Sequence, residues 1–245
     1  MLRAFANGQL FGAVHGSGPP AVLALHGWGR THRDFDATLT GLAAVALDLP
    51  GFGATPPPSQ GWGAGEYAAA VAPVLEEMAT PVVVLGHSFG GRVAVELAVS
   101  RPEAVRALVL AGVPLVRRPG DRRRRPALAY RVGRTLHRRG VLGERRMEGL
   151  RQRYGSADYR AAQGVMRHVH VRAVNETYER QLAAIACPVE LVWGDDDHDV
   201  PPDVARAASA LLARATLTIV PGAGHLTPST APEALRAAVE RHLPR

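Results

Sequence analysis

The chain has 245 residues, enough to bury one sizeable core, and its net charge of +7 comes from arginine, because none of its 29 Lys+Arg positions is lysine. Its single cysteine, Cys187, excludes an intramolecular disulfide and reads as a packing residue rather than a nucleophile. The first ten residues lack the apolar run of a signal peptide and no window reaches membrane-spanning length, so the expectation is a cytoplasmic protein without a membrane span.

In chain order, apolar runs predict strands at about 8–15, 21–26 and 43–48, then a helix over 65–79, a strand at 81–86, a helix over 89–100 and a strand at 106–112. A long interruption follows at about 115–186, with candidate helices at 126–139, 142–154 and 159–168. The alternation resumes with a strand at 188–193, a helix over 202–214, a strand at 216–220 and a helix over 230–243. Strands alternating with helices predict an α/β protein, with a mostly parallel central sheet covered by helices on both faces. Such sheets gather ligands at the carboxyl ends of their strands.

Those strand ends carry the chemistry. After Val82-Val83-Val84-Leu85 the chain reads Gly86-His87-Ser88-Phe89-Gly90-Gly91 and then continues as a helix. A G-x-S-x-G between a buried strand and a helix is a nucleophile elbow, in which small flanking residues permit a tight turn that pushes the serine out above the sheet. Ser88 is therefore the candidate nucleophile, and the N–H of Phe89, the next residue, is a candidate oxyanion donor. A serine hydroxyl needs a histidine base, and that histidine needs a carboxylate to hold its tautomer.

Past the strand at 188–193 come Gly194-Asp195-Asp196-Asp197-His198-Asp199-Val200-Pro201, four carboxylates on one loop. Past the strand at 216–220 come Pro221-Gly222-Ala223-Gly224-His225, a lone histidine among glycines. His225 is the candidate base. His32, His137, His168, His170 and His242 lie in polar or arginine-rich surroundings and are expected at the surface. His87 is expected to pack beside the nucleophile, and His198 is tethered too closely to the acidic loop to serve.

With these motifs the chain resembles the α/β-hydrolase superfamily, in its cap-bearing serine esterase, C–C hydrolase and haloperoxidase-like branch. The resemblance implies that the acid is Asp197, in a G-x-x-D pattern followed by Pro201, with Asp196 its nearest rival. It also implies that His26-Gly27-Trp28-Gly29 is the H-G-x-G loop, which makes the Trp28 N–H the second oxyanion donor and His26 a brace. Asp48-Leu49-Pro50-Gly51-Phe52-Gly53 is similar to the family's D-x-P-G-x-G turn, where Asp48 holds the turn by local hydrogen bonds. On the same grounds, residues 1–245 form a single α/β-hydrolase domain, and the interruption at about 115–186 is a helical cap insertion over the site.

That insertion holds the basic charge: residues 117–180 contain 18 arginines against six acids. The plain reading is a solvated surface in an arginine-rich chain. The functional readings are recognition of an anionic ester or of an acidic carrier protein. Nucleic acid is disfavoured, because no recognition motif accompanies Arg122, Arg123, Arg124 and Arg125 and stacking aromatics are scarce.

The expected activity is cleavage of a small-molecule carboxylic ester through an acyl-enzyme, with no cofactor and no metal. The motifs leave C–C bond hydrolysis and cofactor-free perhydrolysis open. Gly90-Gly91-Arg92 also resembles the menaquinone-pathway lyase that eliminates pyruvate, which makes Arg92 a substrate-binding candidate. A rival of another class is a non-catalytic ligand receptor built on the same fold.

Overall fold

A computed structural model describes residues 2–78, 81–117 and 127–244. Among these residues, eight strands, numbered β1 to β8 along the chain, form one sheet in the order β1-β2-β4-β3-β5-β6-β7-β8. Strands β1 (Leu2–Phe5) and β2 (Leu10–His15) pair antiparallel, and β2 runs antiparallel to β4 (Ala44–Asp48). From β4 onward every pairing is parallel, through β3 (Val22–Leu25), β5 (Val82–His87), β6 (Val105–Ala111), β7 (Val189–Gly194) and β8 (Ala215–Val220). The carboxyl ends of β3, β5, β7 and β8 thus share one edge.

The inner strands are continuous apolar runs because both faces of the sheet are buried. Leu23, Leu25, Val82, Val84, Leu108, Leu110, Leu191 and Trp193 point to one face. That face is covered by α2 (Ala64–Met78), α3 (Phe89–Ser100) and α9 (Pro202–Ser209). Val22, Ala24, Val83, Leu85, Val109 and Val192 point to the other, beneath Phe35 and Leu39 on the first short helices and Leu235, Ala238 and Val239 of α11 (Pro232–Glu240). The period-2 alternation of side chains assigns successive residues to these two cores.

Several expected elements differ in detail. β1 was not foreseen: it is an exposed edge strand, joined to β2 by a turn in which Ala6, Asn7 and Gly8 all take positive φ. The helix expected over 202–214 stops at Ser209, because the chain must reverse to bring Arg214 beside β7, where its carbonyl accepts from the Val189 N–H. The helix expected over 230–243 is divided into α10 (Thr227–Thr230) and α11, with Pro232 starting the second.

The interruption holds five helices among the described residues: α4 (Leu128–Arg138), α5 (Glu144–Tyr154), α6 (Ala157–Ala161), α7 (Gly164–Ala173) and α8 (Glu179–Ala184). The helix expected over 159–168 is two, since Ala162 and Gln163 are extended before α7 begins. Val169, Ala173, Tyr178, Leu182 and Ile185 belong to the same buried cluster as β3 and α3, so α7 and α8 share the main core. Arg122, Arg123, Arg124 and Arg125 lie outside the described residues. No helix of the described residues is long and apolar enough to cross a membrane.

Candidate active site

Ser88 sits between β5 and α3 at φ 48° and ψ −109°, a strained backbone for a residue with a Cβ. The turn is tight because α3 starts directly against β3, and a Cβ on Gly90 would overlap the Leu25 carbonyl. This geometry brings the hydroxyl to 3.2 Å from His225 Nε2, in the loop after β8. His225 Nδ1 lies 2.9 Å from Asp197 Oδ2, in the loop after β7. The three expected side chains therefore meet, although they come from separate loops.

Asp197 is held from the other side as well, because its Oδ1 accepts the N–H groups of Asp199 (3.0 Å) and Val200 (2.8 Å). Trp193 Nε1–H, donating to the Val200 carbonyl, pins the far end of the same loop. The neighbouring acids are aimed elsewhere. Asp195 accepts the Gly222 N–H, and Asp196 pairs with His198 in solvent. Gly112, at the end of β6, leaves room for the pair, since a Cβ there would stand 3.0 Å from the His225 ring.

His87 is buried, and burial pushes its pKa down to about 4, with the nearby His225 a lesser cause. Its Nε2–H donates to the His225 main-chain carbonyl at 2.9 Å. Its Nδ1 is then a bare acceptor without a partner among the described residues, packed against Gly27, where an added Cβ would come within 2.8 Å. His26 is neutral for the same reason, its pKa lowered to about 4 by burial. It accepts the Leu49 N–H on Nε2 and donates from Nδ1 to the Gly27 carbonyl, tying the loop after β3 to the turn after β4. Among the described residues, the N–H groups of Trp28 and Phe89 have no protein acceptor.

Asp48 is buried and accepts from the Ala54 and His32 N–H groups and from the His32 ring. Burial alone would raise its carboxyl pKa, but these hydrogen bonds outweigh it and hold the group below the usual carboxylate range.

A cavity of about 340 Å³ opens over Ser88 and His225, lined also by Gly27, Trp28, Arg30, His87, Asp158 and Asp199. Among the described residues, the insertion contributes Asp158 to this lining and no arginine. Arg30 is matched by Asp34, with Nε 2.8 Å and Nη2 2.7 Å from the two carboxylate oxygens.

Arg92 does not line the cavity either, and its candidacy as a substrate ligand is not supported. One helical turn beyond Ser88, it is buried beneath α7 and donates to the Ala173 carbonyl, complementing the negative end of that helix.

Four of the histidines assigned to the surface are not free there. His32 pairs with Asp48, His137 with Glu144 and His242 with Glu190. His170 is buried and meets Trp28 edge to face at 5.0 Å. The signal for it was present: Met166, Val169, His170 and Ala173 follow the i, i+3, i+4, i+7 spacing of a buried helical stripe.

Comparison with known proteins agrees with this architecture. Over 98 residues the chain is 42% identical to a lipase of Mycobacterium tuberculosis, and over 98 residues 40% identical to a pimeloyl-[acyl-carrier protein] methyl ester esterase of Klebsiella pneumoniae. Each match spans 38% of this chain and 37% of the relative, so the chain covers little more than a third of the length of these curated relatives. In structure it is similar to a thermophilic esterase from Thermogutta terrifontis, with a TM-score of 0.70 at 22% identity over 98% of this chain and 97% of that one. A hydrolase from Pseudomonas aeruginosa gives a TM-score of 0.72 at 22% identity over 100% and 98%. At those identities the likeness shows the fold. A sequence model of the alpha/beta hydrolase family matches residues 22–238, nearly the whole chain, and the protein belongs to that family.

Proposed function

We propose that the protein hydrolyses a carboxylic ester through an acyl-enzyme. The observation that carries this reading is the continuous hydrogen-bonded line from Ser88 Oγ through His225 to Asp197, at the wall of a cavity large enough for a small ester. Ser88 Oγ adds to the ester carbonyl carbon while its proton passes to His225 Nε2. Asp197 fixes the His225 tautomer and stabilises the imidazolium. The oxyanion is taken up by the Trp28 and Phe89 N–H groups, each such donor being worth about 3–4 kcal/mol in the transition state. As the C–O bond breaks, His225 returns the proton to the departing alkoxide. Water then attacks the acyl-enzyme by the same route, releasing the acid and restoring Ser88.

The ester names of the partial relatives support this class of reaction. The wall bears Asp158 and Asp199, neither in an ion pair among the described residues, while Arg30 is already neutralised. That charge pattern favours neutral acyl and alcohol groups over anionic ones. The helices at 128–184 serve as the cap in this reading.

Turnover of p-nitrophenyl acetate and butyrate tests the proposal directly. Continuous release of p-nitrophenol, lost by several orders of magnitude in a folded Ser88→Ala variant, is the expected result. A single burst or no release from the native protein would point to the receptor reading, and activity within tenfold of native in Ser88→Ala would remove Ser88 from its role.

A further inference from the structure

Helices α4 and α5 form a hairpin packed chiefly on itself, with Leu150 closing over Gly133. Tyr130 Oη and Tyr159 Oη, 2.9 Å apart, join it to α6. Residues 127–154 contain eight arginines and two glutamates. Both glutamates are engaged: Glu144 pairs with Arg151 and His137, and Glu148 with Arg151 and Arg167. Arg131, Arg134, Arg138 and Arg139 are exposed, and among the described residues none has a carboxylate partner.

Apolar side chains stand beside them in solvent. Leu128 is 71% exposed, Val132 50% and Val141 72%. At 100° per residue, Leu128 and Val132 share one stripe of α4, and Arg131, Arg134 and Arg138 the adjacent one, with Arg139 just past the helix end. Thr135, Arg138 and Arg139 line a concavity of about 260 Å³. A helix that serves only as a solvated surface mixes the signs of its charges and turns its leucine and valine inward. In α4 every charge is positive, and Leu128 and Val132 face solvent while only Leu136 is half-buried.

We propose that the α4–α5 hairpin docks the protein on an anionic phospholipid surface. Headgroup phosphates would meet the guanidinium forks of Arg138 and Arg139 and the Thr135 hydroxyl, while Leu128, Val132 and Val141 enter the boundary between headgroups and acyl chains. An acidic protein would match the arginines but offers no hydrocarbon phase for three exposed apolar side chains. A lipid interface offers both. Docking there would also bring the cavity mouth to the interface, because α6 carries Asp158 into the cavity wall and Tyr159 into the hairpin joint. The inference stands on the hairpin alone and does not depend on the esterase reading.

Co-sedimentation of the full chain with phosphatidylcholine vesicles, with and without 30% phosphatidylglycerol, tests it. Binding is expected to the anionic vesicles, weakened by 0.5 M sodium chloride, and not to the neutral ones. Changing Arg131, Arg134, Arg138 and Arg139 together to glutamine should weaken that binding about a hundredfold, since each basic residue at an anionic surface contributes to it. Changing Arg33, Arg101, Arg106 and Arg206 instead, which removes equal charge elsewhere, should leave binding within about threefold. Leu128→Ser with Val132→Ser and Val141→Ser, at unchanged charge, should weaken it about tenfold. Far-UV circular dichroism and the thermal unfolding midpoint in buffer should remain native in all three variants, which reports that they fold. The proposal is overturned by equal binding to both vesicle types, by no binding, by equal losses in the two glutamine variants, or by tight capture of polyglutamate with no affinity for the anionic vesicles.

Discussion

His87 and His225 are joined by a hydrogen bond from the ring of the first to the main-chain carbonyl of the second, at 2.9 Å, although they lie 138 residues apart. The same His87 ring packs against Gly27 through its unpartnered Nδ1, and it is covalently next to Ser88. One neutral imidazole thus touches the loops that carry the oxyanion donor, the nucleophile and the base. His87→Leu, which keeps the bulk and removes the donor, should lower kcat about 10- to 100-fold with KM almost unchanged, because a small misplacement of His225 costs rate rather than binding. His87→Gln, whose side-chain N–H reaches toward the same carbonyl, should recover most of the loss. Equal kcat in all three proteins, with equal thermal unfolding, would show the contact to be idle.

The acid is tested by a paired substitution. Asp197→Asn should reduce kcat about 10⁴-fold, since an amide presents the wrong group to His225 Nδ1–H. Asp196→Asn should be nearly silent, because its carboxylate faces His198 in solvent. Steady-state rates on p-nitrophenyl butyrate decide between them, and the opposite ranking would move the acid by one residue.

Substrate charge gives a third measurement. With Asp158 and Asp199 on the wall, a monoanionic ester should show a lower kcat/KM than a neutral ester of equal size, and added salt should narrow the gap. Asp158→Asn should raise kcat/KM for the anionic ester severalfold and leave the neutral one unchanged. Had the arginines of the insertion steered substrate, salt would act with the opposite sign.

Acid should unfold the protein through its buried histidines. His26 and His87 both titrate near 4 when folded against about 6.5 when unfolded, so below pH 6.5 the unfolded chain binds more protons than the native one. Stability contributed by the neutral rings is complete above pH 6.5 and is lost as pH falls toward 4, at about 1.4 kcal/mol per pH unit for each ring. Urea unfolding midpoints between pH 7 and 4.5 should fall accordingly, and His87→Gln should remove about half of that slope.

Much of this was legible in the chain because strand ends are punctuated by residues with few alternatives. Gly86, Gly90 and Gly91 around Ser88 mark a turn that side chains would block, and the order of Ser88, Asp197 and His225 follows the order of parallel strands. The element alternation gave the sheet correctly from β2 to β8. The failures were contacts made across the fold. Arg92 keeps the expected spacing from Ser88, yet its direction is set by α7, which no local pattern on α3 encodes. Asp158 was one acid among many arginines, and only the packing of α6 brings it to the cavity, which no arginine of the described insertion lines. His170 was hidden by its basic neighbours, although its helical phase was already that of a buried residue.

The positive φ of Ser88 sets durability against activity at one position. A non-glycine residue held in so sparsely populated a region costs about 1–3 kcal/mol, and glycine would carry little of that cost. Ser88→Gly should therefore melt at a higher temperature than the native chain while turning over no ester. Selection for heat tolerance alone, applied to a library of this protein, would tend to discard the hydroxyl on which the proposed chemistry depends, so a screen for hardier variants must score turnover in the same round.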